Sequence, residues 1–191
     1  MKSVAWSEGR WSREPVSITE DGSHLIVEAA AESDWWRNTS YGFIHDDGHA
    51  LLKDFPNESA VEVSFILNYT EQFDQAGIFI SSGSEHWIKA GVEYCDGFPQ
   101  VGAVVTQVNS DWSVAPVAEW MNKEVTVRVS RSGDAVTVRA GINGDLRLVR
   151  VAPLDPTRTW QAGPMFCAPT RAGLKITFTG WSQGEADPEL H

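Results

Sequence analysis

Residues Phe73–Ser113 read FDQAGIFISSGSEHWIKAGVEYCDGFPQVGAVVTQVNSDWS. Asp96-Gly97 divides two strand-like runs, and a two-residue Asp-Gly link is a strong type I′ hairpin signal. With that turn, Cys95 pairs with Phe98, Glu93 with Gln100, Gly91 with Gly102, Lys89 with Val104 and Trp87 with Thr106. Side chains alternate along a strand. One face therefore carries Ile88, Ala90, Val92, Val101, Ala103 and Val105, a wholly apolar set. The other carries Trp87, Lys89, Gly91, Glu93, Gln100, Gly102, Val104 and Thr106. A slip of one residue would destroy that separation.

The preceding run, Gln75–Ser81, divides in the same way. Ala76, Ile78 and Ile80 point inward, while Gln75, Gly77, Phe79 and Ser81 point outward. With Ser82–His86 as a loop, Phe79 faces Lys89, Gly77 faces Gly91 and Gln75 faces Glu93. Gly77, Gly91 and Gly102 then form a row across the sheet. Glycine inside a strand marks a bend or a close approach by another group. Such a row leaves a trough, with Gln75, Glu93 and Gln100 on one wall and Phe79, Lys89 and Val104 on the other. Two readings stand: the glycines let the sheet curve, or they floor a ligand groove.

Outward from this meander, the chain reads as short strands and turns. Ile18 and Leu25-Ile26-Val27 flank Asp21-Gly22, with Trp6 and Trp11 packed on the rim of the fold. Ser33–Gly42 has no uniformly apolar side and is expected to be partly loop or to border a site. Ala50–Phe55 and Ala60–Tyr69 are strands, the second with Val61, Val63, Phe65 and Leu67 inward. Asn109–Trp120 is expected to be mostly loop, because Pro116 breaks a strand. Val125–Ser130, Val136–Ile142 and Leu146–Val151 alternate around turns at Ser132-Gly133-Asp134 and Asn143-Gly144, with Arg128, Arg139 and Arg147 on a solvated face. Pro153, Pro156, Pro164 and Pro169 punctuate the next stretch, before a last strand at Leu174, Ile176 and Phe178. Many short alternating strands with regular turns predict an all-β sandwich or jelly roll. Residues 1–183 are expected to form one domain, and 184–191 a loose tail.

Composition narrows the partners. The chain has 191 residues and a formal net charge of -11, from 15 Lys and Arg against 26 Asp and Glu. No basic cluster is present, which argues against nucleic acid and against anionic membrane surfaces. The N-terminus, MKSVAWSEGRW, has no apolar core of a secretory signal, and no run approaches membrane-spanning length. Cys95 and Cys167 are the only cysteines. Two cysteines make no disulfide framework, and a cytoplasmic location with reduced thiols is expected. No zinc-type ligand spacing and no cofactor signature is found. His45 and His49 flank Asp46-Asp47-Gly48, where a solvated turn is favoured over a metal site. The nine tryptophans divide between core and a stacking surface.

Asp34-Trp35-Trp36-Arg37-Asn38-Thr39-Ser40-Tyr41-Gly42, Asp74–Ile78, Trp87–Tyr94, Val105-Thr106 and Ser110–Ser113 resemble the DUF1349 family. The resemblance implies a concanavalin A-like lectin/glucanase jelly roll of two curved antiparallel sheets, with the concave sheet as the ligand face. The family is related to domains appended to some family 43 glycosidases. It has no assigned function, and one fungal branch carries a label linking it to enolase regulation.

Three functions are consistent with these residues. The first is non-catalytic binding of a carbohydrate or sugar derivative. Trp35, Tyr41, Phe79, Trp87 and Trp112 supply stacking area, and Arg37, Gln75, Lys89, Glu93, Gln100 and Thr106 supply polar contacts. Lys89 is placed to meet a phosphorylated sugar. The second is a protein-interaction or regulatory module, with Trp35, Trp36, Arg37 and Trp112 as a contact patch. Self-association through that patch belongs to the same class. The third is a glycoside hydrolase-like enzyme. Hydrolysis needs two carboxylates about 5 to 10 Å apart, and the E-x-D-x-E type spacing of the glucanases is absent. Only Glu93 is a carboxylate on the meander face, with Asp34, Asp74 or Asp111 within reach only from loops. No nucleophile motif is present.

Overall fold

The structure, a computed structural model, describes residues 1–190; His191, the end of the expected tail, lies outside. Its strands in chain order are β1 (Lys2–Ser3), β2 (Arg10–Trp11), β3 (Ser17–Asp21), β4 (His24–Glu28), β5 (Trp35–Arg37), β6 (Ile44–Asp46), β7 (His49–Asp54), β8 (Ser59–Ile66) and β9 (Gln75–Ser81). There follow β10 (His86–Cys95), β11 (Phe98–Gln107), β12 (Asn109–Pro116), β13 (Glu124–Ser132), β14 (Ala135–Ile142), β15 (Asp145–Pro153), β16 (Gln161–Cys167) and β17 (Lys175–Glu185). They form an eight-stranded sheet, β15-β14-β13-β8-β17-β4-β3 with β1 beside β17. A seven-stranded sheet, β12-β11-β10-β9-β16-β7-β2, packs against it, and β5-β6 forms a separate hairpin.

The central meander has the register that its turns dictate. Cys95 pairs with Phe98, Glu93 with Gln100 and Gly91 with Gly102; Gly77 pairs with Gly91 and Gln75 with Glu93. The inward set fills the space between the sheets. Ala76, Ile78, Ile80, Ile88, Ala90 and Val92 meet Val61, Val63, Phe65, Val125, Val127, Ile176 and Phe178 from the opposite sheet. The glycine row has a backbone cause: a Cβ on Gly77 would overlap the Ala90 carbonyl oxygen, and one on Gly91 the Ala76 carbonyl oxygen. The strands approach so closely that only hydrogen fits there.

Two proline-containing stretches differ from expectation. Asn109–Pro116 is not a loop but the edge strand β12, and Pro116 closes it opposite Gln100. An edge strand tolerates proline because one side of its backbone needs no partner. Gln161–Cys167 is a central strand between β9 and β7, with Pro164 at its middle. Its pairing to β7 is interrupted at Gly163 and Pro164 and resumes in the same register at Met165. Proline lacks the N–H a ladder bond needs, which accounts for the gap.

The chain ends are tied down. Trp6 stacks on Trp181 at 6.2 Å, and Trp11 meets Phe166 edge-on at 6.2 Å. The C-terminal stretch is not loose: Arg128 and Arg139 both grip Asp187, at 2.6 Å each. Those arginines therefore clasp the tail rather than face solvent alone. No helix among the described residues is long and apolar enough to cross a membrane.

Candidate functional site

The outer face of the seven-stranded sheet is not bare. Trp35, on β5, stacks on Phe79 at 4.3 Å and tilts against Trp87 at 6.2 Å. Together with Trp36, Ala50, Val104, Met165 and Cys167 they form a second apolar cluster. The segment from Asp34 to Gly48 thus covers part of the sheet as a flap. Gly48 makes this packing fit, because a Cβ there would overlap the Trp35 indole.

Polar side chains lock the flap. Arg37 donates to the Val108 carbonyl at 3.2 Å and pairs with Asp46 at 3.1 Å and Glu85 at 3.3 Å. The Arg37 backbone N–H donates to Ser110 Oγ, which also bonds Thr106 at 2.9 Å. Asp34 Oδ1 accepts from Lys89 Nζ at 2.7 Å, from the Trp35 N–H at 2.7 Å and from Gln75 at 3.4 Å. Lys89 is buried. Burial opposes its charge, but Asp34, Cys167 and Glu93 outweigh that penalty and hold the ammonium above its ordinary range.

Beside the covered area lies a cavity of about 350 Å³, lined by Glu32, Asp34, Trp36, Tyr41, Phe43, His45, Phe73, Lys89, Glu93, Val104, Trp112, Pro169 and Thr170. Its volume falls in the range of small-molecule sites. A narrow arm of about 20 Å³ continues along Gly91 and Gly102, between Gln75, Glu93 and Gln100. That arm has room for about one water molecule. The aromatic wall is continuous: Trp36 meets Tyr41 at 5.5 Å and Trp112 at 6.4 Å, and Tyr41 stacks on Phe43 at 5.3 Å.

Glu93 stands at the junction of cavity and arm. Neither glutamine beside it bonds to it. Gln75 donates to the Phe73 carbonyl, and Gln100 donates to the Cys95 carbonyl and sulfur. Glu93 Oε1 is buried without a partner. Burial pushes its carboxyl up to about 7, against the opposing pull of Lys89 and with a further push from Asp34. Buried polar atoms normally have partners, so the unpartnered oxygen singles out Glu93 among the carboxyls of this cavity.

Of the residues expected at the site, Tyr41, Lys89, Glu93 and Trp112 line the cavity. Gln75 and Gln100 line the arm. Trp35, Arg37, Phe79, Trp87 and Thr106 line neither, because the flap packs onto the sheet through them. Sequence reasoning omitted Glu32, Phe43, His45, Phe73, Pro169 and Thr170 from the cavity. Tyr41, Phe43 and His45 share one side through ring contacts at 5.3 and 5.0 Å, and their i, i+2 spacing was the legible signal. Trp36, expected in a contact patch, also forms a wall of the cavity. Of the loop acids, Asp74 is bound by Arg171 and Asp111 by Arg150; only Asp34 reaches the site. His49 carries no free ring nitrogen for a metal: Nε2 accepts from the Ala30 N–H, and Nδ1 bonds the Arg13 carbonyl.

Two facing antiparallel sheets, one with its outer face partly covered by the flap, form a concanavalin A-like β-sandwich. A xylan β-1,4-xylosidase from Bacillus halodurans contains a similar fold, with a TM-score of 0.70 and 15% identity over 95% of this chain and 38% of that one. The chain belongs to the DUF1349 family, "Protein of unknown function", whose model matches residues 11–186. It is 34% identical over 184 residues to Regulation of enolase protein 1 of Saccharomyces cerevisiae, covering 95% of this chain and 91% of that protein. A crystal structure of a functionally unknown Saccharomyces cerevisiae protein superposes with a TM-score of 0.88, at 32% identity, over 95% of this chain and 98% of that one.

Proposed function

We propose that this protein binds a small sugar-type ligand in the cavity between the flap and the glycine trough. The observation that carries this reading is the convergence of Trp36, Tyr41, Phe43 and Trp112 on Asp34, Lys89 and Glu93 around about 350 Å³. A sugar ring presents apolar C–H faces and a rim of hydroxyls. Flat aromatic walls suit the first, and fixed carboxyl oxygens suit the second. The reading moves away from phosphorylated sugars, because the Lys89 ammonium is engaged by Asp34 at 2.7 Å. Two buried free thiols, Cys95 and Cys167, favour a reducing cytoplasmic setting for this activity.

A thermal-shift screen tests the proposal with neutral mono- and oligosaccharides, sugar phosphates and nucleotide sugars. A ligand at about 100 times its Kd adds about 2.7 kcal/mol to stability, or several degrees in Tm for a chain of this size. The shift should vanish in Trp112→Ala and weaken in Glu93→Ala. A panel with no shift would count against the reading.

A second reading has its own support. The yeast relative is named for regulation of enolase, and Tyr41, Phe43 and Ile44 of the flap are exposed. A protein-contact or regulatory role would use that apolar edge, and pull-downs with Ile44→Asp would lose the partner. Glycoside hydrolysis is the third reading, because Asp34 and Glu93 line one cavity. Three donors already hold Asp34 Oδ1, which ranks this reading last.

A further inference from the structure

We infer that the ligand of this cavity is a cation: an ammonium-bearing compound, in sugar terms an amino sugar, with its nitrogen against Glu93 Oε1 and its carbon faces on the aromatic wall. This rests on the small-ligand reading above and narrows it to one charge class. Several independent features lead there.

First, Glu93 Oε1 is a buried acceptor with no nitrogen or oxygen donor, and the Cys95 thiol beside it is a weak one. It lacks what a ligand N–H would bring. Second, the charges lining the cavity do not balance. Lys89 is neutralised by Asp34 at 2.7 Å. His45 lines the cavity, with its Nδ1 3.5 Å from Asp47. Glu93 shares the Lys89 ammonium with Asp34, and Glu32 also lines the wall, so three carboxyl groups face one ammonium. An anion would meet net repulsion, and a cation net attraction. Third, the wall is aromatic on several sides: Trp36, Tyr41, Phe43 and Trp112. Ring faces carry negative quadrupole density and attract cations within about 6 Å. A neutral sugar hydroxyl would also donate to that oxygen; an ammonium adds charge attraction and ring-face attraction to the same hydrogen bond.

The protonation of Glu93 links to the same event. The groups acting on it are Lys89 on its own strand, Asp34 from the flap, and Cys95 and Asp96 at the hairpin end. Its carboxyl sits near 7 chiefly through burial. An incoming cation favours the ionised form. Binding at pH 7 therefore releases a proton from about half of the molecules.

The test is isothermal titration calorimetry of the full chain with five probes: a glucosamine trimer, its N-acetylated counterpart, a glucose trimer, glucose 6-phosphate and tetramethylammonium. The glucosamine trimer should bind at least tenfold tighter than the acetylated and glucose trimers. That advantage should be lost in Glu93→Gln, which keeps the shape and removes the charge. Tetramethylammonium does not titrate, so its binding at pH 7 in two buffers of different ionisation enthalpy should report release of about half a proton. This measurement uses the unaltered protein and holds even if the variant folds poorly. Equal binding of charged and neutral trimers without proton release would overturn the inference and leave sugar binding standing. Tetramethylammonium binding with proton release, and no sugar binding, would keep the charge inference and overturn the sugar reading. Preference for glucose 6-phosphate would overturn the inference. Silence from all five probes would overturn both.

Discussion

At the scale of the residue, Glu93 carries the most information. Its place opposite Gln100 and Gln75 follows from the Asp96-Gly97 turn and strand alternation. Its burial does not, because burial depends on a flap that begins about 60 residues earlier in the chain. The consequence is measurable. The folded carboxyl titrates near 7, above its ordinary value of 4.5. Between those values the folded protein holds a proton that the unfolded chain has released. Stability therefore falls as pH rises from about 4.5 to about 7, by up to roughly 3 kcal/mol. Glu93→Gln has no such proton. Denaturant unfolding of both proteins at pH 5 and pH 8 should show the wild type losing about 1 to 3 kcal/mol relative to the variant across that interval. Parallel pH profiles would show that Glu93 is not held neutral by burial.

At the scale of the element, the flap decides what the sheet can bind. Ser33–Gly42 is ambiguous as sequence because its two faces serve two surfaces. Trp35 faces Phe79 on the sheet, while Trp36 faces Tyr41 and Trp112. Neither face is solvent, so neither shows the polar half of an amphipathic pattern. The β12 and β16 strands were hidden for a different reason. Proline punctuation outweighs apolar alternation in a local reading, yet an edge end and an interrupted ladder both accept proline. Gly48 tests the flap's seating. Gly48→Ala adds a methyl where the Trp35 indole lies, and the Cys167 sulfur is also within overlap distance. Overpacking of this kind costs about 1 to 3 kcal/mol. The lowered Tm should come with altered tryptophan fluorescence, because Trp35 must move off Phe79. An unchanged spectrum and Tm would place the indole elsewhere.

At the scale of the whole molecule, the sandwich is held by its inter-sheet core and finished by contacts between distant ends of the chain. Asp187 is the clearest of these, bound by Arg128 on β13 and Arg139 on β14 at 2.6 Å each. Its backbone N–H also donates to Ser130 Oγ at 2.8 Å. Asp187→Ala leaves two partly buried guanidinium groups without their shared carboxylate. It should lower stability by about 1 to 3 kcal/mol and speed proteolysis of the C-terminal residues. An unaffected Tm would mean that the clasp contributes nothing in solution.

The sequence by itself determined the all-β class, the meander's register, the inward core face and the alignment of Gly77, Gly91 and Gly102. Those features follow from turn chemistry and a two-residue period, and both are local. Only the tertiary structure decided that Trp35 seals Phe79 and Trp87, that Asp34 claims Lys89, and that Glu93 Oε1 is left buried without a partner beside an aromatic cavity. These depend on where one segment lands on another, and no spacing along the chain encodes that distance.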